Sequence, residues 1–140
     1  MREALQDRLL QCIRELHGDG IVTFYAGGAL GFDTLSAEAV LKYREEHPDV
    51  RLIIAIPCEN QAERWKPEDI ARYQEIRRAA DESVCLSKRY DRECMRRRNR
   101  FMVDHSAICV CYLTRERSGT AKTVRYAEEQ GLRIINLAGI

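Results

Sequence analysis

The chain has 140 residues, of which 45% are apolar, so it is long and apolar enough to form the core of one domain. Its 23 Lys and Arg residues nearly balance its 22 Asp and Glu residues, and the formal net charge of +1 gives no general attraction to nucleic acid. No stretch approaches the roughly 18 apolar residues that a membrane span requires, and the polar N-terminus lacks the pattern of a signal peptide. We therefore expect a cytoplasmic protein with no membrane partner, and nucleic acid is not an expected partner.

Segments of helical and of strand character alternate along the whole chain. Apolar residues at helical spacing predict a first helix over residues 2–17, which Gly18 and Gly20 end. The pattern then predicts strands over 21–26, 51–56, 83–86, 107–113 and 133–137, and helices over 34–46, 67–80, 91–105 and 121–130. Such alternation indicates parallel βαβ units with helices on both faces of a sheet. The predicted fold is a single-domain, three-layer α/β/α fold with a mainly parallel sheet over residues 1–140.

A glycine-rich turn joins the first predicted strand to the second predicted helix, and we call residues 27–33 the glycine corner. Its glycines are Gly27, Gly28 and Gly31. Glycine lets the backbone approach a ligand closely, and the first N–H groups of a helix have no partner within the helix. The glycine corner therefore suits a phosphate or another anion, although a plain packing turn has the same pattern. Asp33 either caps the helix or accepts a hydrogen bond from a ligand hydroxyl.

A second strand-to-helix connection follows the charged loop 114–117, and we call residues 118–120 the Ser-Gly-Thr corner. Ser118, Gly119 and Thr120 open a helix and offer a second anion site, with an ordinary connecting loop as the alternative. Ligands of parallel α/β sheets bind beyond the carboxyl ends of the strands. We therefore expect both corners on one rim, with a phosphate or ribose between them.

Three further features suit a ligand that contains phosphate or a base. Gln61 could hydrogen-bond a base and Trp65 could stack on it, although packing of Trp65 over its own loop is an equal alternative. The run 96–100 contains four arginines and Asn99, and its members fan out around a helix, so most face solvent and one arginine faces the rim. The same run admits a nucleic-acid backbone, but the balanced charge and the lack of interleaved aromatic residues weaken that interpretation.

The six cysteines indicate buried thiols more than metal or disulfide chemistry. Cys85, Cys109 and Cys111 lie in apolar runs, where cysteine behaves as a small apolar residue. No neighbouring Cys or His completes a four-ligand set, so no metal site is predicted. Cys58, beside the expected rim, is the one thiol for which we keep a functional role open, and no histidine is placed to activate it.

Four motifs in this order resemble the DUF1273, or YpsA-like, family of the SLOG superfamily, which also contains DprA and the LOG phosphoribohydrolases. They lie at residues 27–33, 56–61, 98–104 and 118–124. The resemblance covers nearly the whole chain. It implies a Rossmann-like fold and a site for a nucleotide or a nucleotide-derived molecule, such as NAD or ADP-ribose, and it selects Arg98 as the arginine at the rim.

The chain departs from the family pattern in three places. The opening strand of the family, which ends in Gly-His-Arg and is central in the sheet, has no counterpart here. Two strands would then face an empty slot, and we expect an earlier start of the chain, direct pairing of the two strands, or a strand from a partner chain. Ser118 stands where the family has glycine. Thr123 stands where LOG enzymes have a glutamate, which argues against glycosidic cleavage.

Three functions remain as alternatives. The first is a binding module that senses a nucleotide-like molecule. The second is a nucleotide-processing hydrolase, which needs a carboxylate at the rim; the candidates are Asp33, Glu38, Glu59 and Asp104. The third is binding of single-stranded DNA, which the likeness to DprA implies. A homo-oligomer is open in each case.

Overall fold

Five strands alternate with five helices in the computed structural model, which describes residues 2–114 and 118–138, without the side chain of residue 2. Residues 115–117 of the predicted charged loop lie outside these ranges. The helices are α1 (Arg2–Gly18), α2 (Phe32–Arg44), α3 (Pro67–Ala79), α4 (Cys94–Asp104) and α5 (Gly119–Glu129). The strands are β1 (Thr23–Ala26), β2 (Arg51–Ile56), β3 (Glu82–Cys85), β4 (Ile108–Cys111) and β5 (Arg133–Asn136). The predicted α/β Rossmann-like pattern is confirmed.

The core is centred on β2. Leu52, Ile54 and Ile56 are at most 1% exposed, as expected for a strand that helices cover on both faces. The apolar stripe of α1, which includes Leu9 and Leu16, packs into the same core. Burial of these side chains is the main favourable term that holds the helices on the sheet.

All strand pairs are parallel, but the strands form two sheets. One sheet has the order β1-β2-β3, with Thr23 opposite Arg51 and Ile53 opposite Glu82. The other pairs β4 with β5 and places Ile108 opposite Arg133. Within residues 2–114 and 118–138, β1 does not pair with β4, so the expected direct pairing of these two strands is wrong.

Two helix starts differ from the prediction. Gly31, with a φ of 85°, is the N-cap residue of α2, so this helix begins two residues before Thr34. Asp91 does not begin α4, because its carboxylate accepts the N–H of Glu93 in a turn that competes with the helix. Met95, near the start of α4, is 39% exposed.

Among the residues that the structure describes, no helix is both long enough and apolar enough to cross a membrane.

Candidate functional site

The two corners line one cleft between the open edges of β1 and β4. The cleft has a volume of about 620 Å³, within the range of small-molecule sites. At the rim, the ring centroid of Phe32 in the glycine corner lies 6.2 Å from that of Tyr112, which follows β4. The predicted site residues that line the cleft are Gly27, Asp33, Arg98, Asn99, Gly119 and Thr120.

At the glycine positions of the glycine corner, no other residue type fits without strain. Gly28 and Gly31 have φ values of 76° and 85°, a region that other residues rarely adopt. At Gly27 a Cβ atom would lie 2.5 Å from Oδ2 of Asp33 and 2.6 Å from Nη1 of Arg98. The corner therefore allows these two charged groups to approach the backbone.

Arg98 is the one charged residue among those described that is buried, and it is 4% exposed. It reaches from α4 under the glycine corner, where Nη1 donates to the carbonyl oxygen of Gly27 and, at 3.5 Å, to that of Ala55. Its Nε donates to Oδ1 of Asn99 at 2.8 Å. Direct contact of Arg98 with a ligand stays a prediction.

Asp33 does not cap α2, since Gly31 occupies the N-cap position. Its carboxylate instead turns back and accepts the N–H of Ala29 at 3.2 Å. Burial raises the pKa of Asp33 above its ordinary value, against the opposing effects of the Arg98 charge and of the backbone N–H groups. Burial likewise lowers the pKa of Arg98, and the Asp33 charge opposes this. A guanidinium keeps its proton even so, and the two groups form a charged pair.

The Ser-Gly-Thr corner forms the N-terminus of α5. Ser118 is the N-cap residue, and its hydroxyl accepts the N–H of Ala121 at 3.0 Å. Gly119 and Thr120 come next, at positions whose N–H groups have no acceptor within the helix. A Cβ atom at Gly119 would meet no other atom within 4 Å, so this backbone is open to an incoming group. The first turn of α5 carries no acidic side chain, which favours an anion there.

Gln61 and Trp65 contact the β2 side of the glycine corner and do not line the cleft. Nε2 of Gln61 donates to the carbonyl oxygen of Gly28 at 3.3 Å. The ring of Trp65 packs edge-on against Tyr73, with 5.3 Å between the centroids. The structure therefore shows the packing alternative for Trp65, and base recognition by either residue stays a prediction.

Tyr73 was missed by sequence reasoning. Its ring would lie 3.5 Å from a Cβ atom at Gly28, and its buried hydroxyl has no hydrogen-bond partner among the described residues. Its position within the apolar stripe of α3 indicated packing alone.

Of the four carboxylates considered for catalysis, only Asp33 lines the cleft. Glu38 accepts from Nε of Arg72 at 2.7 Å, and Asp104 accepts from the hydroxyl of Tyr126 at the same distance. Glu59 is exposed and outside the cleft lining. Within the described part of the chain, the cleft thus offers one carboxylate and no acid–base pair.

Cys58 does not add a reactive group to the cleft rim. Cys58 is fully buried, and burial together with the neighbouring Cys94 raises the pKa of its thiol. Both effects oppose the thiolate form that a reactive cysteine needs. No cluster of three or more metal-ligating side chains occurs in residues 2–114 and 118–138.

Comparison with known proteins supplies a family. The model of the YpsA SLOG family matches residues 2–134. The SPbeta prophage-derived protein YoqJ of Bacillus subtilis is 29% identical, over 89% of this chain and 81% of its own length. A UPF0398 protein of Bacillus cereus is 28% identical, over 94% of this chain and 71% of its own. The UPF0398 protein YpsA of Bacillus subtilis is 26% identical, over 87% of this chain and 67% of its own length.

Proposed function

The chain belongs to the YpsA SLOG family, and from this premise we propose that it binds a nucleotide or a nucleotide-derived molecule at the rim of the cleft, as a sensor or regulatory module. One observation carries the proposal: the glycine corner and the Ser-Gly-Thr corner, separated by about 90 residues in the chain, line the same cleft. Each corner supplies backbone N–H groups at the start of a helix, and such groups bind phosphate.

The ligand is held mainly by backbone groups. Gly119 and Thr120 bring the start of α5 to the phosphate, and the hydroxyl of Thr120 adds a donor that suits a phosphate oxygen or a ribose. The carboxylate of Asp33 accepts a hydrogen bond from a ribose hydroxyl. It is the one carboxylate among the described residues that line the cleft, and its side chain is 27% exposed. Arg98 holds the glycine corner in place from below through the carbonyl oxygen of Gly27.

Binding fits this cleft better than hydrolysis. Cleavage of a glycosidic bond normally uses two carboxylates with different roles. The cleft lining contains Asp33 alone, and Thr123 donates its hydroxyl to the carbonyl oxygen of Gly119 at 3.1 Å, where the LOG enzymes have a glutamate. The raised pKa of Asp33 does not replace the second carboxylate that this reaction needs.

Titration calorimetry with NAD, ADP-ribose, AMP and ATP tests the proposal. We expect at least one of them to bind, and the Gly119→Ala variant to weaken that binding about tenfold or more, because the added methyl group occupies the space that the phosphate needs. Gly18→Ala is the matched control: its Cβ atom also meets nothing within 4 Å, but it lies at the end of α1. This control should bind like the unchanged protein.

Two results would contradict the proposal. One is no heat from any of the four nucleotides while the protein is folded. The other is binding of a single-stranded oligonucleotide that falls steeply with salt, without binding of free nucleotides, which would favour the DNA alternative. Release of free base from AMP that Asp33→Ala abolishes would replace binding by hydrolysis as the function.

A further inference from the structure

Three successive carbonyl oxygens of the glycine corner accept hydrogen bonds from side chains in other parts of the chain. They belong to Gly27, Gly28 and Ala29, and their donors are, in the same order, Arg98, Gln61 and Thr34. The bonds from Gln61 and Thr34 are 3.3 and 3.0 Å long. Because a trans peptide unit is planar, the N–H group that follows each carbonyl points in the opposite direction. The three donors therefore fix the directions of the N–H groups in this turn without any ligand.

The carboxylate of Asp33 already occupies N–H groups that an incoming anion would use. Its Oδ2 accepts the N–H of Ala29 at 3.2 Å, and the N–H of Gly27 also stabilises the carboxylate. Backbone N–H groups gathered around one anion are the means by which such turns bind phosphate. At this turn the anion is a side chain of the protein itself. The turn would have to break the bonds to its carbonyl oxygens before its N–H groups could face a second anion.

Arg98 does not offer its charge to a ligand at this corner. Its side chain is 4% exposed, whereas that of Asp33 is 27% exposed. Its Nη1 and Nε donate to the carbonyl oxygens of Gly27 and Ala55 and to Oδ1 of Asn99. A ligand that reaches the corner therefore meets the carboxylate of Asp33, with the guanidinium behind it.

We propose that Asp33 determines the specificity of the site: the glycine corner takes an uncharged hydroxyl group of the ligand and rejects a phosphate, which binds at the Ser-Gly-Thr corner alone. A carboxylate accepts a hydrogen bond from a hydroxyl, whereas a phosphate beside it would bring two negative charges together. The ligand class is thus a nucleotide with free ribose hydroxyls, and a nucleotide that carries a further phosphate on its ribose is excluded. This inference rests on the proposed function and narrows it.

Titration calorimetry with matched nucleotides tests the inference. The pairs are AMP with adenosine 2′,5′-bisphosphate, AMP with adenosine 3′,5′-bisphosphate, and NAD with NADP. We expect a nucleotide with free ribose hydroxyls to bind about tenfold or more tightly than its counterpart with the added phosphate. At least one of 2′-deoxy-AMP and 3′-deoxy-AMP should also bind more weakly than AMP, because it lacks the hydroxyl that meets Asp33.

Asp33→Asn is the informative variant, since its amide oxygen can still accept the N–H of Ala29 but carries no charge. It should reduce the preference for free ribose hydroxyls to about threefold or less. Asp104→Asn is the matched control, because Asp104 accepts from the hydroxyl of Tyr126 at 2.7 Å and does not line the cleft. This control should keep the full preference, and circular dichroism shows whether each variant is folded.

Three results would overturn the inference. They are equally tight binding of a nucleotide and its counterpart with the added phosphate, equal binding of AMP and both of its deoxy forms, and an unchanged preference in folded Asp33→Asn. Each of these results leaves nucleotide binding itself intact, so the proposed function would survive them. Absence of binding by every nucleotide in the set would instead contradict the proposed function, and this inference with it.

Discussion

Nη1 of Arg98 lies 3.8 Å from Oδ2 of Asp33, beneath the glycine corner. Because the guanidinium is almost fully buried, it depends on its acceptors. We expect Arg98→Met to lower the free energy of unfolding by about 3–5 kcal/mol, since the carboxylate and the carbonyl oxygen of Gly27 lose their donor. Urea denaturation at neutral pH measures this loss.

A double-mutant cycle tests whether the pair acts as a unit. Asp33→Asn removes the negative charge, and in the Arg98→Met background it should cost less than it does alone. We expect a coupling free energy of about 1–3 kcal/mol from the four denaturation curves. Strictly additive losses would show that Arg98 stabilises the corner through the carbonyl oxygens and not through Asp33.

The two corners should respond differently to an added methyl group. Gly27→Ala places a Cβ atom 2.5 Å from Oδ2 of Asp33 and should cost about 1–3 kcal/mol, because the charged pair must move. Gly119→Ala meets no atom and should change the free energy of unfolding by less than about 0.5 kcal/mol. Thermal denaturation of both variants compares them directly. Equal losses of stability would mean that the missing side chain at Gly27 is not what lets Arg98 approach the backbone.

The interactions of Asp81 predict that the folded protein loses stability as the pH falls. Its Oδ2 accepts the N–H of Leu52 at 2.7 Å and forms an ion pair with Nη1 of Arg44 at 2.7 Å. Burial alone would raise the pKa of Asp81, but these two donors together hold it below its ordinary value of 3.8. A carboxylate with a lowered pKa in the folded state stabilises the fold above its unfolded pKa. That contribution is lost as pH falls through the folded value.

The measurement is the free energy of unfolding from about pH 7 to about pH 3. Asp81→Asn should be less stable than the unchanged protein by about 1 kcal/mol at neutral pH, and this difference should shrink as pH falls. Glu82→Gln is the control, since Glu82 and Arg51 form an exposed pair at 2.8 Å that should contribute little. A difference that grows at low pH would contradict the assignment.

Cys58 and Cys94 should resist alkylation while the protein is folded. Both are fully buried, and the raised pKa of the Cys58 thiol further lowers its thiolate fraction. Mass spectrometry of peptides after iodoacetamide treatment should show modification of both residues only in denaturant. Cys85, which is partly exposed, serves as the internal reference. Rapid modification of Cys58 in the folded protein would contradict this expectation and would support a functional role for its thiol.

The sequence predicted the features that depend on neighbours in the chain. Pro67 marks the start of α3 because proline suits the first helical turn. The apolar run of β2 predicts its burial on both faces. Both corners could be predicted because a turn of small residues between a strand and a helix is a local pattern.

What the sequence could not predict depends on contacts between distant residues. Arg98 and Gly27 are 71 residues apart, and an arginine within a charged run indicates an exposed face unless its partners are known. Gln61 donates to Gly28 across 33 residues, so its role in supporting the corner was equally hidden. The late start of α4 depends on one local hydrogen bond of Asp91 that competes with the helix.

The division into two sheets has a consequence for cooperativity. Since β1–β3 and β4–β5 share no ladder among the described residues, the two halves are candidates for separate units of local opening. The chain has one tryptophan, Trp65, and it packs beside Tyr73 in the half that contains β2. Its emission should therefore report the melting of that half, while circular dichroism follows the helices of both, and the two curves need not coincide.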